Sequence, residues 1–210
     1  MSKENYDVIS HNLTMADNWD KIKVIYRDLY EEPLELTAEE YWDLFLDGWV
    51  TGEHNSTGQH LEIWSEIINN AEHPVPDKHR EGLPEGEFKI YRGGDSWGLS
   101  WTLSKEKAVW FQERKLHENM IHNPNPQKEL GPLSEKTITK DDAVFYNNER
   151  EEQEVVILTD ETFDYMKTDE FKKDTEELNQ QIGETQAYLN WVKELAKNPD
   201  NIKEWPPDKS

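Results

Sequence analysis

The sequence predicts an α+β fold: a helical N-terminal segment, a split antiparallel β core, then a C-terminal helix. Three observations predict it. Apolar residues recur at helical spacing through about residue 75. From residue 76 the pattern changes to glycine and proline punctuation with period-two alternation. Helical spacing then returns in the last stretch of the chain. A length of 210 residues suits one domain with appendages. The boundaries expected are 1–75 for the helical segment, 76–165 for the β core and 166–210 for the C-terminal helix and tail, packed as one compact unit.

Each element has a local reason. Trp19, Ile22, Ile25 and Leu29 mark the first apolar stripe. Thr37-Ala-Glu-Glu40 is a capping box in which hydroxyl and carboxylate cover free N–H groups, and it opens a helix with Tyr41, Leu44, Phe45 and Gly48 on one side. Gly52 to Gly58 is polar and turn-rich. Leu61, Trp64, Ile68 and Ala71 form a third stripe, ended by His73-Pro-Val-Pro76. Phe88, Ile90 and Arg92 alternate with Lys89 and Tyr91 as a short strand, and Leu99 to Leu103 reads as a second. Ser104 is an N-cap for a helix from Lys105 to about Met120. Three prolines and a glycine make 123–132 a loop. Thr137–Thr139 and Ala143–Tyr146 suggest strands, Asn147–Glu151 a polar turn, and Glu152–Leu158 a further strand. Leu178, Ile182, Leu189, Val192 and Ala196 mark the C-terminal helix, with a loose tail after it.

Lys plus Arg total 23 and Asp plus Glu total 45, a net charge of -22. That excess disfavours phosphate backbones and anionic lipid over most of the surface, so nucleic acid is a disfavoured partner and a membrane is not expected. Nine tryptophans, eight tyrosines and six phenylalanines indicate a core of few but large side chains. With no cysteine there is no disulfide, thiolate nucleophile or zinc-thiolate site. No signal-type apolar region opens the chain, which fits the cytoplasm. His54, His60, His73 and His79 share no ligand spacing, so no metal site is expected.

Two segments carry the chemistry. Phe88 to Ser104 sets Arg92 at a strand end, with Ser100 and Thr102 on the next strand. Glu152-Gln153-Glu154 heads the apolar run Val155–Leu158; strand alternation would put both glutamates on one face. One guanidinium, a hydroxyl cluster and two carboxylates suit a phosphate-bearing sugar that must ionise. Taken separately, each part has an ordinary use: a surface ion pair for Arg92, strand and cap positions for Ser100, Thr102 and Ser104, and a solvated hairpin tip for the acidic run. Tyr91, Trp97, Trp101 and Trp110 read as core. Glu149 and Glu151 offer a second register of the same spacing.

Tyr91-Arg92-Gly93, then Ser100-Trp101-Thr102 before a helix, then Glu152-Gln153-Glu154, together resemble the mono-ADP-ribosyltransferases of the arginine-serine-glutamate class. The similarity covers about residues 80–160 and is nearest to small phage or bacterial enzymes with a helical segment before the β core. The middle of the hydroxyl motif departs from the family, with Trp101 where threonine is usual. The resemblance implies a β core of ADP-ribosyltransferase type and NAD as the substrate. It implies that Arg92, with Gly93 beside it, binds the diphosphate, and that Ser100 and Thr102 serve the nicotinamide-side ribose. Glu154 would be the catalytic glutamate, and Glu152 would orient or deprotonate the nucleophile. Asn147–Glu151 would read the target, and a glutamate at 152 implies an arginine acceptor on a target protein. If the chain is virus-encoded, it would act in the host cytoplasm. The same chemistry on RNA, DNA or water is a sister expectation. A non-catalytic acidic inhibitor imitating nucleic acid is the rival from another class, with the charge of -22 in its favour.

Overall fold

The computed structural model describes residues 2–18, 20–52, 58–122, 129–173 and 175–176. Trp19, the C-terminal stripe from Leu178 to Ala196 and the tail after it lie outside the described residues, as does most of the loop expected at 123–132.

Helix α1 (Ser2–Met15) buries Ile9 and Leu13. Helix α2 (Lys21–Tyr26) buries Ile22 and Ile25, then widens into a π-helical turn over Arg27–Glu31. Helix α3 (Ala38–Thr51) starts at the expected capping box. The Thr37 hydroxyl accepts from the Glu40 N–H at 3.2 Å, and the Glu40 carboxylate accepts from the Thr37 N–H at 2.8 Å. Helix α4 (Gly58–Asn69) turns Leu61, Trp64 and Ile67 inward; Ile68, expected on that stripe, is half-buried.

Five strands follow: β1 (Phe88–Gly93), β2 (Ser100–Thr102), β3 (Leu133–Ile138), β4 (Ala143–Asn147) and β5 (Glu154–Ile157). Helix α5 (Lys105–His122) lies between β2 and β3, and α6 (Asp160–Met166) follows β5. All strand pairs are antiparallel, in the order β3-β1-β2-β5-β4. The fold is therefore α+β. The described strands form one continuous sheet, not two. The split expected from the sequence is therefore not seen among the described strands; the shortest pairing in the sheet is that of β1 with β2, which share one register pair, Tyr91 with Thr102.

Strand alternation divides the sheet between two cores. Val156 packs with the helices, beside Phe145, Phe45 and Trp64, whereas Val155 and Ile157 face the opposite side with Ile90, Trp101 and Leu83. The helical segment and the sheet thus share a hydrophobic core. Edge-to-face aromatic pairs fasten α3 to the sheet, with Phe45–Phe145 centroids 5.9 Å apart and Trp49–Phe145 centroids 5.8 Å apart. Such pairs add about 0.5–1.5 kcal/mol each beyond their buried area. Among the described residues no helix is long and apolar enough to cross a membrane.

Helix α5 presses on β1 at Gly93. A Cβ there would lie 2.2 Å from the Ala108 carbonyl oxygen and 2.7 Å from the Gln112 nitrogen, both backbone atoms. Gly93→Ala should therefore push the helix off the strand. A loss of about 1–3 kcal/mol is expected, read as a lower urea midpoint with an unchanged slope.

Candidate active site

The three motif segments meet in one cleft of about 350 Å³, lined among others by Arg92, Ser100, Thr102, Glu152 and Glu154. That volume is within the range of small-molecule sites. Ser100 pairs with Val156, and Glu154 lies two residues along the same face of β5. Diagonal neighbours of this kind are within side-chain reach. The Ser100 hydroxyl donates to Glu154 Oε1 at 2.5 Å. From the other side the Trp49 indole Nε1 donates to the same oxygen at 3.3 Å. Burial pushes the Glu154 carboxyl above its ordinary range, and the nearby Glu152 charge pushes the same way. The two donors and the Arg150 charge pull it down.

Arg92 is buried, and its guanidinium is engaged with backbone. Nε donates to the Asp95 carbonyl at 2.9 Å and Nη1 to the Ser100 carbonyl at 2.5 Å. These bonds staple the turn after β1 onto β2. Gly98 lies flat on the group: a Cβ there would sit 2.0 Å from Arg92 Cζ. Desolvation lowers the Arg92 pKa to about 10, with Asp95 and Glu154 opposing the shift, so the group stays cationic at neutral pH. Arg92 is thus first a structural clamp and second a fixed positive charge in the cleft wall.

Thr102 and Gly93 line the cleft and also have structural work. Thr102 is buried, and its hydroxyl donates to the Glu152 carbonyl at 2.7 Å while accepting from the Ser104 N–H at 3.1 Å. It holds the following loop and the start of α5, where Ser104 Oγ accepts from the Lys107 N–H at 3.2 Å as the N-cap. Gly93 lines the cleft, but its missing side chain makes room for α5.

Glu152 also reaches the cleft, although not by strand alternation. Strand β5 begins at Glu154, and the residues on either side of Glu152 are left-handed, Glu151 at φ 57° and Gln153 at φ 51°. Such non-glycine conformations cost about 1–3 kcal/mol each and persist only when surroundings impose them. Here Asn147 Oδ1 accepts from the Glu149 N–H at 3.0 Å, and Asn148 Oδ1 accepts from the Gln153 N–H at 3.1 Å. Glu149 and Glu151, the alternative register, lie on this exposed loop and do not line the cleft.

Trp101, the departure from the motif, is in the second core on the opposite face, and its Nε1 donates to the Gly98 carbonyl at 2.7 Å. The outer hydroxyls therefore share the Glu154 face, and the middle side chain does not. Trp97 lines the cleft, stacked on Tyr165 of α6 at 3.8 Å, while the Thr162 hydroxyl donates to the Trp97 carbonyl at 2.8 Å. Trp110, expected in the core, is largely exposed. Lys115 of α5 adds a cation to the cleft wall, near Gly94. Trp49, Trp97 and Lys115 had no motif to mark them. Among the described residues no group of three or more His, Asp or Glu side chains is arranged for a metal ion.

Comparison with protein-family models, with curated proteins and with solved structures finds no match to this chain.

Proposed function

We propose that this chain is an NAD-dependent mono-ADP-ribosyltransferase that moves ADP-ribose onto an arginine of a target protein and releases nicotinamide. The observation that carries the reading is the Ser100–Glu154 hydrogen bond of 2.5 Å, in a cleft where Arg92 grips the carbonyl of the same serine. Hydrogen bonds thus link three residues from separate segments.

The chemistry suits the groups. Breaking the bond between ribose C1′ and nicotinamide leaves positive charge on C1′ and the ring oxygen. A carboxylate held by two donors stabilises that charge without reorganising, as carboxylates do in glycoside cleavage. Glu152, close enough for its charge to act on Glu154, is available to take the proton of the incoming nitrogen. Arg92 and Lys115 supply positive charge to the cleft of an otherwise acidic protein, which favours a diphosphate there.

The charge of -22 favours the rival reading of an inhibitor that imitates nucleic acid. A mimic needs no aligned serine and glutamate in a cleft. Incubation with labelled NAD and a host lysate separates the two. The transferase reading expects nicotinamide release and labelled protein, and folded chain giving neither would overturn it.

A further inference from the structure

A second, polar cavity of about 100 Å³ shares lining residues with the cleft. Glu152 and Glu154 line both spaces. The small cavity is also lined by Val50 in the last turn of α3 and Gly52 just after it, and by Asn147 at the end of β4 and Arg150 of the β4–β5 loop. Arg150 Nη2 donates to the Val50 carbonyl at 2.9 Å, and this contact joins the loop to α3 across a hundred residues of chain. The side chain is exposed, so it has freedom to exchange the Val50 carbonyl for another partner. Its charge acts on Glu154 directly. An arginine therefore already lines the space beside the carboxylate pair.

The sequence has five arginines, and the other four are engaged elsewhere. Arg27 pairs with Asp28, Arg80 donates to the Ala143 carbonyl, Arg92 is buried, and Arg114 lies over the Trp110 ring. None of Arg27, Arg80 and Arg114 lines either cavity.

On the transferase reading above, we infer that Arg150 is a modification site, ADP-ribosylated in cis by the chain that carries it. The C1′–N bond to nicotinamide breaks, and nicotinamide leaves with the bonding electrons as a neutral base. An Nη nitrogen of Arg150 forms the new bond to C1′ and gives its proton to the Glu152 carboxylate, which passes it to water. The product keeps the guanidinium charge and adds a diphosphate. It can no longer fit the small cavity, so the loop is released from Val50 and the space beside Glu152 opens to an outside acceptor.

The test uses the full chain with NAD alone. Nicotinamide release is followed alongside mass-spectrometric mapping of ADP-ribose on peptides, at several protein concentrations. Expected are ADP-ribose on Arg150 well above the other four arginines, a labelling rate per molecule independent of concentration, and at least about tenfold less self-label in Arg150→Lys. A tagged Glu154→Gln copy mixed with active chain should stay unlabelled, as cis transfer requires. Nicotinamide release with label confined to other residues, or with none on protein, would overturn the inference and leave the transferase reading standing, as would a rate that rises with concentration. No nicotinamide release from folded protein would overturn both.

Discussion

Glu154→Gln is expected to lower nicotinamide release by about a thousandfold, the scale of removing one preorganised charge-stabilising group, with the fold intact. Glutamine keeps an acceptor oxygen for the Ser100 and Trp49 donors but carries no charge. The stability change has a definite sign. The folded Glu154 carboxyl has a pKa raised by burial from its ordinary 4.5, so the native state holds a proton that the unfolded chain has released. Native stability from this residue is thus present below 4.5 and is lost as pH rises through the raised value, then stays level. Glu154→Gln removes that dependence, so the variant should melt at or above the parent temperature at neutral pH, with the gap narrowing in acid. Thermal melts across the pH range, run beside the nicotinamide assay, check both halves. A variant that melts well below the parent at neutral pH would show that Glu154 supports the fold.

Arg92→Met should have the largest effect on stability. Methionine fills part of the space but removes both Arg92 donors, so the Ser100 carbonyl loses its bond to the guanidinium and the Asp95 carbonyl keeps the Gly98 N–H at 3.4 Å. Each hydrogen bond from a charged donor lost in this way costs about 1.5–3 kcal/mol. A total near 3 kcal/mol is expected, or roughly 6–12 °C in Tm for a chain of this size. Arg92→Lys should recover only part, because one ammonium lacks the planar fork that reaches two carbonyls at once. Nicotinamide release should fall in both variants, since the same bonds hold β2 where Ser100 meets Glu154. A melting temperature within a degree or two of the parent for Arg92→Met would refute the clamp.

The parts legible in the sequence are those whose causes are local. Thr37 and Glu40 cap α3 within four residues, Ser104 caps α5, and proline closes the segment after α4. Strands β1, β2, β4 and β5 alternate or run apolar, so their approximate positions follow from period-two patterning. Helix α6 was missed despite a visible signal, a threonine followed by two acidic residues in its first turn. Glu152 and Glu154 both line the cleft, but strand alternation does not place Glu152 there, because β5 begins at Glu154. Left-handed residues at 151 and 153, whose N–H groups both donate to Asn148, bring Glu152 to the cleft instead of a pleat.

Side-chain type and spacing, properties of neighbours in the chain, made Arg92, Ser100 and Glu154 candidates. Which atoms those groups hold depends on distant segments. Trp49 reaches Glu154 across 105 residues, Gly98 seals the guanidinium, and α6 sets Trp97 in the wall. Periodicity in a sequence reports which face of an element is buried, because burial repeats with the backbone. It is silent on which partner lies across that face, because the partner is selected by packing between elements far apart along the chain.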